Sequence, residues 1–208
     1  KFLPNSFQYF SLWILLSIYF QLFFSFKIIH KISGNLRFSL ISSLFFCIST
    51  IFLNRSGFHL ALAGQWIILS AFYIELNQIK NKTFYRNLNI SLSVLIHFYF
   101  TIILVLFYIF QNSYNLFKKE VKLKSFVTEL FITFIIVVFL MYIIGYFTIN
   151  LDDGLGWGYG IYNFNLNSFF NPLGANSFGN FNWSLFFPVQ EFQNSEHEGF
   201  SYLGITGL

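Results

Sequence analysis

Charge is scarce in this sequence. Charged side chains make up 10 % of its 208 residues, against about 25 % in ordinary soluble domains. With a hydrophobic fraction of 56 %, that shortage excludes both a soluble globular domain and a disordered chain. Cysteine is down to one residue, Cys47, which excludes an internal disulfide and a zinc site built on cysteines. No basic segment followed by a cleavage site marks a signal peptide, and no repeat or coiled-coil heptad stands out. Lys and Arg are missing altogether after Lys124.

What is present points to a membrane. The 12 Lys and Arg against Glu75 and Glu120 give residues 1–124 a net charge of +10. Residues 125–208 carry a net −6 from Glu129, Asp152, Asp153, Glu191, Glu196 and Glu198. The basic groups sit between apolar runs, where they flank membrane helices, and are no sign of a nucleic-acid partner. Crossing a hydrocarbon core of about 30 Å takes about 20 residues at 1.5 Å each. Five runs qualify as expected spans: 7–26, 38–53 (short), 58–76, 88–110 and 126–147. The expected fold is an all-α membrane bundle over residues 1–148, about five transmembrane helices, followed by an irregular Gly/Asn/aromatic-rich segment over 149–208. The two alternate sets of loops carry six basic residues each, so a plain count leaves the orientation tied. The dense Lys118–Lys124 cluster favours a cytoplasmic loop there and an extracytoplasmic tail.

Polar residues inside the runs recur at helical spacing. Asn89, Ser93, His97 and Thr101 repeat every four residues and predict one helix face. Ser17, Gln21 and Ser25, then Ser39, Ser43 and Cys47, do the same, and His59, Ala63, Trp66 and Ser70 share a face. Such faces turn away from lipid. They serve either as interhelical packing contacts or as the wall of a wet cavity, for which His59, His97 and Thr101 are the candidates. His97 has no companions for a metal site, and no metal ligand set is expected. Glu129 is expected in the first turn of its helix, where it suits the positive end of the dipole, with a proton relay as the alternative.

The tail is of another kind. Gly154, Gly156, Gly158 and Gly160 demand turns, with one or two short strands expected around them. Their spacing is not a dinucleotide fingerprint, because no strand precedes and no helix follows. Asp152 and Asp153, with Glu196-His197-Glu198, form the only dense set of acid/base or cation-binding groups. They are solvated loop charges or they face a sugar or a divalent cation at the membrane surface.

Several strings resemble a known family. They are Gly156-Trp-Gly-Tyr-Gly160, Asn165-Leu-Asn167, Phe170-Asn-Pro172, His197-Glu198-Gly199-Phe200 with Tyr202-Leu203-Gly204, Gly57-Phe-His59, Gln65-Trp66, and His97-Phe98-Tyr99. Together they resemble an uncharacterised bacterial family of polytopic membrane proteins that look like GT-C glycosyltransferases. Gln65 stands where that family has histidine, and Phe98 where it has proline. The resemblance implies transfer of a sugar from a polyprenyl-phosphate donor in envelope glycan assembly, or a noncatalytic relative of such an enzyme, at the bacterial inner membrane, with residues 149–208 extracytoplasmic. It implies a catalytic carboxylate in a first outside loop, which a fragment starting here would lack. The five runs would then be the third to seventh helices, and the tail would lead into a further, truncated helix. Asp152, Asp153 and Glu198 remain as catalytic candidates within the chain, with a divalent cation as the one cofactor to consider. Two other classes stay open. One is a transporter or flippase using Gln21, His97 and Thr101 as a polar path through helices broken at the midplane. The other is a structural subunit of an organellar membrane complex, suggested by the Phe-rich composition.

Overall fold

A computed structural model describes residues 9–49, 52, 53, 56 and 59–148. The chain divides into two units, residues 1–47 with 55–148, and residues 48–54 with 149–208. Of the second unit only Ile48, Ser49, Phe52 and Leu53 are described; there the Leu53 N–H donates to the Ser49 carbonyl at 3.0 Å, one helical turn. The predicted irregular tail lies outside the described residues.

The first unit is all helix among the described residues. α1 spans Phe10–Ser33 and α2 spans Leu36–Cys47. A 3₁₀ segment over Leu60–Gln65 leads into α3, Trp66–Leu76, and α4 spans Lys82–Ile96. α5 spans Phe98–Phe117, α6 spans Leu123–Ile144, and a last 3₁₀ turn covers Tyr146–Thr148. Three of these, α1, α5 and α6, are long and apolar enough to cross a membrane; α2 and Leu60–Leu76 are shorter apolar helices.

The α1–α2 hairpin follows from local chemistry. Gly34 stands at φ 64°, a left-handed position that costs an L side chain about 1–2 kcal/mol. Its N–H donates to the His30 carbonyl at 2.9 Å and closes α1. Asn35 then caps α2, its Oδ1 accepting from the Phe38 N–H at 3.1 Å. Between the two helices the small residues Ser17, Ser25, Ser39 and Ser43 are buried, with Gln21 among them. Ser25 and Ser39 return their hydroxyl protons to backbone carbonyls four residues back at 2.6 Å, while Ser17 Oγ and Gln21 Oε1 are buried there without a partner.

The run 88–110, expected as one span, is two helices. Its polar residues show why. Ser93 Oγ meets Thr101 Oγ1 at 3.0 Å, Asn89 Nδ2 meets Tyr108 Oη at 3.1 Å, and Arg86 Nη1 meets Asn112 Oδ1 at 2.6 Å. On a straight helix residues 86 and 112 would stand about 39 Å apart at 1.5 Å per residue. The chain instead folds back at His97, whose backbone is extended at φ −165° and ψ 131°. His97 Nδ1 accepts from the Tyr99 N–H at 3.3 Å and caps α5.

α1 packs on α2 and α3, α4 on α3 and α5, and α6 mainly on α4, and the directions of these contacts place the connections α1–α2, α3–α4 and α5–α6. α3 runs parallel to α1: Trp13 Nε1 donates to the Leu60 carbonyl at 2.6 Å, and Phe24 stacks on Trp66 with centroids 6.1 Å apart. α4 runs antiparallel to α3, with Asn89 on Ser70 and Arg86 on Glu75. α6 runs parallel to α4, with Thr133 Oγ1 on Asn87 Oδ1 at 2.8 Å. The connections α1–α2, α3–α4 and α5–α6 therefore share one end of the bundle. That end carries Lys27, Lys31, Arg37, Lys80, Lys82, Arg86, Lys118, Lys119, Lys122 and Lys124, every Lys and Arg among the described residues. The tie in the count came from treating the α4–α5 hairpin as one crossing. The core is built by α3, α4 and α5, where Trp66, Ile67, Ala71, Ile90, Phe100, Leu104 and Tyr108 are buried together. α6 leaves Phe131, Phe134, Phe139 and Tyr142 exposed, as a lipid-facing helix does.

Candidate functional site

Four helices bring their polar side chains to one place, a turn inside the basic end. Arg86 is 5 % exposed. Its Nε and Nη2 hold Glu75 Oε1 and Oε2 at 2.6 and 2.9 Å, a two-pronged grip that only a guanidinium offers. Its Nη1 reaches Asn112 Oδ1 at 2.6 Å and Glu129 Oε1 at 3.0 Å. The Tyr108 ring lies 5.5 Å from the guanidinium carbon. Lys82 Nζ adds a second cation on Glu75 at 3.3 Å. Two carboxylates and two cations thus balance in a site that lipid and water scarcely reach.

The network continues inward. Tyr108 Oη accepts from Asn89 Nδ2, which also donates to the Ile67 carbonyl at 3.2 Å. Asn89 Oδ1 accepts from Ser70 Oγ at 2.5 Å. A ladder of bonds therefore joins α3 to α6 through α4. With each guanidinium nitrogen engaged, the arrangement acts as a clamp. It holds no free base or nucleophile at Arg86.

A lateral groove runs along the other side of α3. Its floor is α3 and its walls are α1 and α4. Towards the end opposite the basic residues it opens into a cleft of about 530 Å³ lined by Tyr9, Phe10, Trp13, Leu60, Ala61 and Leu95, among others. Towards the basic end it opens into a second cleft of about 420 Å³ that includes Phe24, Tyr73, Ile79 and Leu88. Trp66 and Leu92 line both. Gly64 sets the spacing at the upper cleft, since a Cβ there would fall 2.6 Å from Ile96 Cγ2 and 3.2 Å from Trp13 Cζ2.

The residues singled out in the sequence are spread differently from their predicted arrangement. Thr101 is buried on Ser93 in the hairpin. His97 forms the turn, where burial first and His59 second hold its imidazole below the ordinary histidine range. His59 precedes the 3₁₀ segment and is exposed. None of the three lines either cleft. Glu129 belongs to the second turn of α6, not the first, and its partner is Arg86 rather than the helix dipole. Asp152, Asp153 and Glu198 lie outside the described residues. Among the described residues no three His, Cys, Asp or Glu side chains group as a metal site requires. The clamp was missed because Arg86 was read as a loop residue. The available signal was Glu75, an acid inside an apolar run that demands a buried partner.

The chain belongs to the family described as domain of unknown function DUF6311, whose model matches residues 1–208. No curated protein and no solved structure matches it.

Proposed function

We propose that this DUF6311 protein is a membrane glycosyltransferase-like protein of the GT-C type, acting on lipid-linked sugars in cell-envelope glycan assembly. In this reading α1–α6 lie in the bacterial inner membrane. The basic end faces the cytoplasm, as the positive-inside rule requires, and residues 149–208 are extracytoplasmic. The observation that carries the reading is the upper cleft. It is open on the bundle's flank, walled by aromatic and aliphatic side chains, and near the end where α6 returns the chain. Its volume of about 530 Å³ falls within the roughly 300–1,000 Å³ of small-ligand sites. A polyprenyl chain lying there would bring its phosphate to the bundle end opposite the basic residues; Asp152, Asp153 and Glu198 are the acidic candidates that the sequence offers for the reaction. The motif strings of residues 156–204 support the same class.

The transporter alternative calls for broken helices at mid-bilayer. Here the 3₁₀ segment before α3 and the turn at His97 both belong to the end opposite the basic residues; Ser70, Asn89 and Tyr108 bond one another, as do Ser93 and Thr101, while Gln21 Oε1 is buried without a partner. The test uses the full-length protein in liposomes with polyprenyl-phosphate sugars, with and without a divalent cation. Sugar transfer, or donor binding that Leu95→Trp abolishes, is the expected result. Neither transfer nor donor binding in either condition removes the reading.

A further inference from the structure

We propose that the lower cleft seats one hydrocarbon chain of an anionic phospholipid from the leaflet at the basic end, with its phosphate held by a ring of lysines. The inference goes beyond sugar transfer and is independent of it.

The cleft of about 420 Å³ is bounded by Phe24 of α1, Tyr73 and Ile74 of α3, Ile79 of the connecting loop, and Tyr85 and Leu88 of α4. Its wall is apolar, and its polar floor residues Ser70 and Asn89 are already bonded to each other and to the Ile67 carbonyl. Trp66, which also lines the cleft, keeps its buried indole N–H without a partner; apart from that one donor the floor makes no demand on an occupant, and a hydrocarbon chain satisfies the walls. The mouth is charged. On α1, Lys27 and Lys31 stand three and seven residues beyond Phe24, one helix face, with the Lys27 ammonium 5.7 Å from the neighbouring Phe23 ring. Lys80 adjoins Ile79 and is exposed, and Lys82 opens α4 with its ammonium partly exposed above Glu75. Glu75 is the only carboxylate at this mouth among the described residues; Arg86 occupies both its oxygens and Lys82 is paired with it at 3.3 Å. Lys27, Lys31 and Lys80 are thus left with an excess of positive charge at the level where a phosphodiester sits. An apolar slot ending in uncompensated cations complements an anionic lipid and disfavours a zwitterionic one, whose ammonium would meet the lysines.

The test reads lipid retention by native mass spectrometry of the full chain released from nanodiscs of equal parts phosphatidylglycerol and phosphatidylcholine. One phosphatidylglycerol per chain is expected to stay bound. Lys80→Gln and Lys27→Gln should each weaken retention about fivefold, the equivalent of roughly 1 kcal/mol per cation at an anionic surface. Leu88→Trp, filling the slot from a half-exposed position, should abolish it, and Ile79→Trp should repeat the effect should the first variant fold poorly. Equal retention of both lipids overturns the proposal, as does unchanged retention in the two tryptophan variants. So does displacement by soluble glycerol phosphate alone, which would assign the site to a free phosphate. A chain that elutes as a dimer with the cleft protected in the absence of lipid overturns it in favour of a second copy. Sugar transfer persisting while retention fails sinks this inference and leaves the glycosyltransferase reading untouched.

Discussion

Replacing Arg86 by methionine keeps much of the side-chain volume and removes the charge. Glu75 and Glu129, with side chains 7 % and 13 % exposed, would then face each other across the vacated position. Removing one partner of a buried ion pair costs about 3–5 kcal/mol, most of it the penalty of leaving the other charge uncompensated. At about 1.4 kcal/mol per tenfold, that is roughly a 150- to 4,000-fold loss in the folded-to-unfolded ratio. The bond lengths argue for the upper half of the range, because three of the four contacts are 2.9 Å or shorter. Lys82 supplies the internal comparison. It is 31 % exposed and meets Glu75 at 3.3 Å, so Lys82→Met should cost no more than about 1 kcal/mol.

The discriminating variant is the triple change Glu75→Leu, Arg86→Met and Glu129→Leu. Replacing a whole buried ionic set by apolar groups is often neutral or stabilising by about 1–4 kcal/mol. The triple variant should therefore regain most of what Arg86→Met loses. Equilibrium unfolding of the full chain in mixed micelles, titrated with a denaturing detergent, measures all four proteins on one scale. Arg86→Met losing no more stability than Lys82→Met would refute the buried clamp. A triple variant as unstable as the single one would show that the cost lies in packing around Tyr108 rather than in uncompensated charge.

Three further outcomes follow from the same geometry. Gly64→Val should destabilise by about 1–3 kcal/mol through collision with Ile96 and Trp13, and Ile96→Ala in the same chain should recover part of it in the same titration. Because burial lowers the folded pKa of His97 below the ordinary 6.5, its contribution to stability is full above pH 6.5 and is lost as pH falls through the folded value; melting curves from pH 8 to pH 5 should show this slope, and His97→Asn, which can still cap α5, should flatten it. A single cysteine placed at Lys122, in a chain with Cys47→Ala, should react with an impermeant maleimide only from the cytoplasmic side, and labelling from outside intact cells would invert the bundle.

The legible part of the fold was the part written in local chemistry. The serine stripes of α1 and α2 follow from spacing, and they lie buried in the hairpin. The α4–α5 hairpin was hidden because its turn uses neither Gly nor Pro. Apolar residues flank His97 on both sides, and a four-residue polar repeat runs through it without a break in period. Residues 93 and 101 share a face on a straight helix and also meet across a reversal, so the pattern alone could not separate the two. The clamp was hidden for a related reason. Arg86 is grouped in sequence with Lys80 and Lys82, which lie at the bundle end, and only the antiparallel return of α5 and the approach of α6 show that it points inward. The lateral groove has no sequence signature, since its walls come from helices separated by dozens of residues.

The clamp also sets an order of events during synthesis. α4 carries Lys82, Arg86, Asn87, Asn89, Ser91 and Ser93 within 15 residues, too polar a segment to leave a translocation channel for lipid by itself. α5 gives it an apolar companion soon after. The carboxylate of Glu129 emerges only 43 residues behind Arg86, about 2–9 s later at ordinary elongation rates of roughly 5–20 residues per second. Until then the guanidinium has Glu75 alone to neutralise it. The expected consequence is that the nascent hairpin stays beside the channel until α6 arrives. Slowing elongation between codons 98 and 129 would lengthen that wait and expose the half-assembled protein to membrane quality-control proteolysis, although every residue of the finished molecule would be unchanged.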